Sequence, residues 1–331
     1  MTRQQLTGLY VMDPKRFDDV YGPAERAAIE RHLTVGRPPC AAEDLTTDAL
    51  KDVDVLLTGW GAPRLTAGLL ERAPRLALVL YAAGSVRPLV TEASWLRGVR
   101  VASAGPVIAD KVADFALAQI LFALKHGWRY VLTARRTGSA ALRRPEPGAA
   151  GTVGLVSLGA TGRATARRLL EHGVRVLGHD PYVSDAEARS WGVEPATLER
   201  VFADSDVVSL HAPLLDATRG MVDGPLLRSM RPDATLVNTA RGGLVDEPAL
   251  VTVLAERPDL FAVLDVTDPE PAAPGSPLFT LDNVVVTPHL AGNLGPERRL
   301  LGRAMAEDLG RYVAGTPLRH EVTPTGLEHA A

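Results

Sequence analysis

Residues 152–172 read TVGLVSLGATGRATARRLLEH, and no other stretch limits the fold as much. A buried-strand pattern, Thr152–Val156, runs into a turn carrying Gly159 and Gly162, and the turn opens a helix. Strand, glycine turn and helix in that order form one half of a crossover between parallel strands. Free N–H groups and the positive end of the helix dipole at such a turn suit a pyrophosphate. Gly159 would let the backbone approach the phosphates, and Gly162 would let helix and strand pack closely. Ser157, Ala160 and Thr161 complete the expected cofactor-binding turn. Asp180 closes the next strand, 21 residues after Gly159. An acid there binds the ribose hydroxyls and repels a 2′-phosphate, so NAD is expected over NADP. The pattern departs at its first glycine, which is Ser157; a serine must hold the tight turn without glycine's freedom. Taken alone, SxGxxG is also the turn of any strand–helix unit. The strand, the helix and Asp180 together favour the dinucleotide reading.

The same alternation extends along the chain. Short apolar runs at 8–12, 54–58, 76–81, 99–102, 152–156, 174–178, 207–210, 235–238, 261–265 and 284–286 read as strands. Helical patterns stand between most of them, for example at 24–33, 65–72, 161–172 and 246–256. Strands alternating with helices indicate parallel sheets covered on both faces. Two positions read as joints, Ala104-Gly105-Pro106 and 291–296, and each precedes a long helix, 110–125 and 297–313. Paired joints imply a discontinuous domain, 1–102 with 291–331, and an inserted domain, 103–290. A polar loop is expected at 143–151.

Composition removes several alternatives. A length of 331 residues suits two domains. A net charge of −3 argues against a nucleic-acid partner. The single cysteine, Cys40, excludes an internal disulfide framework and fits a cytoplasmic location. The longest apolar stretches, 76–84 and 115–124, fall well short of the roughly 20 residues a membrane helix needs, so no membrane partner is expected. The N-terminal residues lack the apolar core of a signal peptide. The eight histidines are dispersed and no HExxH or cysteine-rich spacing occurs, so no metal is expected.

The second half resembles a known family. The segments VGLVSLGATG (153–162), HDPY (179–182), LHAPLLDATRGMV (210–222), VNTARGGLVDEPAL (237–250), LDVTDPEP (264–271) and TPHLAG (287–292) are similar, in order and spacing, to the D-isomer-specific 2-hydroxyacid dehydrogenases. Looser similarity continues upstream at 81–90 and 112–121. The resemblance implies two doubly wound parallel-sheet domains, a Rossmann-type NAD domain inserted into a discontinuous flavodoxin-like substrate domain. It implies NAD as cofactor, a small 2-keto or 2-hydroxy acid as substrate, and a homodimer paired through the apolar helix at 110–125. The family's catalytic arginine, glutamate and histidine fall on Arg241, Glu270 and His289. Its nicotinamide-contacting aspartate resembles Asp265, and its substrate-carboxylate loop resembles Ala83-Gly84-Ser85. His211, Pro213, Thr218, Thr239 and Ala240, in matching segments, are expected along the cofactor. Three residues depart from the family pattern: Ser157 for glycine, Val86-Arg87 in place of an aspartate-containing stretch, and Asp114 for glutamate. With Ala331 as its last residue, the sequence is expected to lack the regulatory extension of some phosphoglycerate dehydrogenases.

The chemistry suits these residue types. Reducing a 2-keto acid requires that the carboxylate be held, the carbonyl polarised and a proton delivered to its oxygen. Arg241 can do the first two, since a guanidinium is always charged and its planar fork binds paired oxygens. His289 can deliver the proton, because histidine titrates near neutrality. Glu270 can hydrogen-bond the far ring nitrogen and favour the imidazolium. Each residue alone has a plainer reading: Arg241 as a helix cap, Glu270 as a solvated loop acid, His289 as a turn histidine. The trio together favours catalysis. His211 reads equally as a cofactor-cleft or a structural residue, and Trp60 equally as a substrate-pocket or a packed aromatic. Two other functions stay open: oxidation of another small anion such as phosphite on the same scaffold, and a non-catalytic NAD(H)-sensing scaffold.

Overall fold

The fully buried runs VLLT, LVLY and VVSL make central strands, because parallel strands are covered on both faces. In the computed structural model, residues 5–140 and 151–328 are described. The polar loop expected at 143–151 lies outside them except for Gly151. Among the described residues there are thirteen strands: β1 (Leu6–Val11), β2 (Leu33–Val35), β3 (Val55–Thr58), β4 (Leu78–Tyr81), β5 (Arg100–Ser103), β6 (Thr152–Val156), β7 (Arg175–His179), β8 (Glu194–Pro195), β9 (Val207–Leu210), β10 (Thr235–Asn238), β11 (Phe261–Leu264), β12 (Val284–Val286) and β13 (Glu321–Val322).

They form two sheets. The first runs β13-β5-β4-β3-β1-β2. Its first five strands in sequence are parallel, and β13 joins β5 antiparallel, pairing Glu321 with Ala102. The second runs β12-β11-β10-β9-β6-β7-β8, parallel throughout. Both are doubly wound α/β sheets. The strand sequence reverses between β1 and β3 in the first and between β6 and β9 in the second, and ligands in open α/β sheets bind at such reversals. The chain divides into two compact units, Met1–Ile108 with Asn293–Ala331, and Ala109–Gly292. In the second unit, the helix Leu198–Asp204 lies against β6: a Cβ on Gly154 would stand 2.6 Å from Val201 Cγ1.

Several local expectations change. The helix expected to run to residue 33 is Pro23–Glu30, and Leu33 instead begins β2, pairing with Leu6. The joint expected at 104–106 is the first turn of a continuous helix, Gly105–Leu124. Proline is tolerated in a helical first turn because its missing N–H has no intrahelical partner there. The helix expected from residue 297 opens as a short 3₁₀ turn, Gly295–Arg298, before Arg299–Val313. No described helix is long and apolar enough to cross a membrane.

Candidate active site

Three neighbouring parallel strands deliver the expected catalytic residues. Arg241 follows β10, Glu270 follows β11 and His289 follows β12, and these strands pair side by side through Asn238↔Leu264 and Leu264↔Val286. All three residues therefore leave the carboxyl edge of one sheet, where open α/β sheets place their chemistry.

Asp265, at the end of β11, organises the histidine. It is 1% exposed. Its Oδ1 accepts the Thr287 hydroxyl and the Leu290 N–H (2.8 Å), and its Oδ2 accepts the Ala291 N–H (2.8 Å). The Asp265 carbonyl accepts the His289 N–H at 2.9 Å. Inside this grip His289 has a φ of 55°, a left-handed conformation costing a non-glycine residue about 1–3 kcal/mol. Its Nδ1 lies 2.6 Å from Glu270 Oε1. Both side chains are nearly half exposed, 48% and 42%. A pair so open to water adds only about 0–1 kcal/mol, too little to hold the strained backbone. Hydrogen bonds to a buried carboxylate contribute roughly 1.5–3 kcal/mol each, so Asp265 supplies the hold and Glu270 the orientation. With Nδ1 held by Glu270, Nε2 is the ring nitrogen that does not face the carboxylate.

The Arg241 turn is held in a similar way. Asn238 is 1% exposed; its Nδ2 donates to the Arg241 carbonyl (2.9 Å) and its Oδ1 accepts the Ala240 N–H (3.1 Å). A Cβ on Gly242 would stand 2.1 Å from the Thr267 carbonyl oxygen, so only glycine allows this turn to pack on the chain leading to Glu270. The Arg241 side chain is exposed, with Nη1 on the Ala240 carbonyl (2.6 Å).

The glycine turn sits between β6 and the helix Ala160–Glu171, capped by Gly159. Arg163 N–H makes the first bond back, to the Gly159 carbonyl (3.0 Å), so the amides of Ala160, Thr161 and Gly162 have no intrahelical acceptor. A Cβ on Gly162 would meet the Ser157 carbonyl oxygen at 2.1 Å, whereas one on Gly159 would meet only Ser157 Oγ at 3.8 Å. Thus Gly162 serves packing and Gly159 leaves open space before the helix N-terminus. Ser157 takes a φ of 78°, and its Oγ donates to Asp180 Oδ2 (3.1 Å).

His211 follows β9 at the sheet's reversal and is buried; burial pushes its imidazole down from 6.5 to about 4. Its Nε2 lies 3.1 Å from Ser209 Oγ. His211 Nδ1 and Thr239 Oγ1 are buried and meet no hydrogen-bond partner among the described residues. These unpartnered atoms, the open amides and the Asp180 carboxylate fit a bound dinucleotide. The Thr218 hydroxyl donates to the Pro213 carbonyl and accepts the Leu215 N–H (2.8 Å), closing its own turn.

The remaining expected residues belong to the first unit. Ala83-Gly84-Ser85 follows β4; Ser103 Oγ donates to the Ala83 and Gly84 carbonyls at 3.1 and 2.7 Å. The N–H groups of Gly84, Ser85 and Val86 meet no acceptor among the described residues. Trp60 follows β3, is 36% exposed, and its carbonyl accepts the Asp13 N–H (2.7 Å). The positioning roles of Asp265, Asn238, Thr287 and Ser209 were not part of the sequence reading. Asn238 and Thr287 stand inside the family segments, which was the available signal.

The family model described as "D-isomer specific 2-hydroxyacid dehydrogenase, NAD binding domain" matches residues 119–291. A D-3-phosphoglycerate dehydrogenase of Mycobacterium tuberculosis is 32% identical over 90% of this chain, which spans only 56% of that relative's length. A glyoxylate reductase of Korarchaeum cryptofilum is 35% identical over 84% of each chain. A solved D-isomer specific 2-hydroxyacid dehydrogenase from Xanthobacter autotrophicus, in complex with NADPH and MES, is 27% identical and superposes with a TM-score of 0.74 over 98% of this chain and 99% of that one. The chain belongs to the D-isomer-specific 2-hydroxyacid dehydrogenase family, and its second unit carries the family's NAD-binding domain.

The burial of His211 has a consequence for stability. Between pH 6.5 and about 4 the unfolded chain takes up a proton there that the folded chain refuses. Stability therefore falls as pH drops through this window. In His211→Asn the decline between pH 6.5 and 5 should be shallower than in the wild type, measured by urea unfolding at several pH values. Parallel declines would contradict the assignment.

Proposed function

We propose that this chain is an NADH-dependent reductase that interconverts a small 2-keto acid and the D-2-hydroxy acid. The observation that carries the reading is the 2.6 Å contact between His289 Nδ1 and Glu270 Oε1, on a loop pinned beside the Arg241 turn. Two features of the site support a dinucleotide there: the open amides of Ala160–Gly162 and the Asp180 carboxylate. The bound nicotinamide would supply or accept the hydride.

The chain's own residues do the rest. Arg241 binds the substrate carboxylate and polarises the neighbouring carbonyl through its planar fork; to do so its Nη1 leaves the Ala240 carbonyl. His289 gives a proton from Nε2 to the carbonyl oxygen during reduction and takes it back during oxidation. Glu270 holds the ring through its Nδ1 and so presents Nε2 to the substrate oxygen. In the first unit, the N–H groups of Gly84–Val86 suit a carboxylate, and we assign that loop and Trp60 to substrate binding. Ser103 fixes the Ala83 and Gly84 carbonyls, and so the peptide planes that carry the Gly84 and Ser85 amides.

The test is NADH consumption against glyoxylate, hydroxypyruvate, pyruvate and bulkier 2-keto acids, with phosphite plus NAD as the alternative reaction. Turnover of at least one 2-keto acid is expected. His289→Ala should lower kcat by on the order of 10²–10⁴, the usual worth of a positioned acid–base. Arg241→Lys should also be severe, because an ammonium lacks the fork. Silence across the panel with NADH bound would overturn the reading in favour of a sensor, and phosphite oxidation alone would replace the substrate.

We also infer a homodimer. Phe122 and Val131 lie on the consecutive helices Gly105–Leu124 and Gly127–Thr137, and are 40% and 39% exposed. Phe122 packs edge-on against Trp128 at 5.2 Å, forming an apolar surface. Sedimentation at micromolar concentration should show twice the 35.2 kDa chain mass. A monomer alone would contradict it.

A further inference from the structure

Ser157 stands where a dinucleotide turn ordinarily has glycine, and its side chain is engaged with Asp180. An ionised carboxylate offers about four acceptor positions, two on each oxygen. On Asp180, Oδ2 accepts both the Leu158 N–H (2.8 Å) and the Ser157 hydroxyl (3.1 Å). Oδ1 accepts the Tyr182 N–H (2.9 Å). Those three donors leave one open position, on Oδ1. A ribose diol gripped by both oxygens needs one on each. The position missing from Oδ2 is the one that the serine hydroxyl fills, and a glycine at 157 would leave it open.

We propose that Ser157 is a specificity-determining residue that weakens NADH binding and narrows discrimination against NADPH, by occupying an acceptor position of Asp180 that the ribose would otherwise use. The inference rests on the NAD reading of this turn. Two consequences share one cause. The ribose of NADH gains one hydrogen bond to the acid where it could gain two. The positive end of the hydroxyl dipole also partly offsets the field of the carboxylate, so a 2′-phosphate meets less repulsion. Ser157 is therefore more than a strained stand-in for glycine at a φ of 78°.

Ser157→Gly and Ser157→Ala separate the two roles. Both remove the hydroxyl, but only glycine relieves the left-handed backbone. Kd for NADH and for NADPH is measured by fluorescence titration of each protein without substrate, and Tm in parallel. Both variants should bind NADH about three- to tenfold more tightly, the scale of one net hydrogen bond. NADPH binding should stay the same or weaken. Tm should rise in Ser157→Gly and fall in Ser157→Ala. A purely structural role would instead move the two cofactors by one factor and follow Tm, and that result would overturn the proposal. Weaker NADH binding in both variants would also overturn it, since it would make the serine a ribose ligand. A wild-type protein that binds neither cofactor would defeat the NAD reading itself, and with it this inference.

Discussion

Asp265 lies at the carboxyl end of β11, 1% exposed, and its carboxylate accepts three donors from the segment Thr287–Ala291. A buried carboxylate without partners would be strongly unfavourable, so these bonds cannot be given up singly. They tie the exit of β12 to the exit of β11 and hold His289 at a positive φ. That conformation sets the ring against Glu270. The Glu270–His289 pair is exposed and weak in itself; its geometry is inherited from the buried Asp265. The two carboxylates thus differ in setting: Asp265 is dry and structural, and Glu270 is exposed and sets the His289 ring.

The second sheet makes this arrangement possible. Parallel strands connected by crossovers put every carboxyl end on one edge, so residues distant in sequence emerge side by side. Gly242 lets the Arg241 turn touch the backbone at Thr267, and Gly162 lets the cofactor helix touch Ser157; a Cβ at either would stand 2.1 Å from a carbonyl oxygen. Asn238 fixes the Arg241 turn with both ends of its amide. Close backbone approach and buried polar side chains therefore do for Arg241 what Asp265 does for His289.

Much of this was legible in the sequence. Short, mainly apolar runs marked the central strands, and ordered motifs carried the family. Three of the four edge strands were not legible: β2, β8 and β13 have three, two and two residues and exist through pairing with a neighbour, whereas the edge strand β12, also three residues long, showed as a run of valines. The start of the helix at Gly105–Pro106 was read as a joint because glycine and proline punctuate loops more often than they open helices. The use of each polar side chain was the least visible. Thr218 read as a cofactor residue, and its hydroxyl closes its own turn. That the Asp265 oxygens hold the His289 segment was not legible, whatever contact the residue makes with a nicotinamide. Hydrogen-bond partners depend on tertiary placement that spacing along a chain does not encode.

The two roles of Asp265 predict different kinetics. Asp265→Asn keeps the size of the side chain but replaces one acceptor oxygen with a donor, which breaks the hold on the Thr287–Ala291 segment. The direct measurement is kcat beside Kd for NADH in this variant, with Tm recorded to confirm folding. If Asp265 acts by positioning His289, kcat falls by at least about tenfold while Kd for NADH changes little. If Kd rises sharply and kcat at saturating NADH stays at the wild-type value, Asp265 acts on the cofactor alone, and the account of a buried carboxylate holding the catalytic loop is wrong.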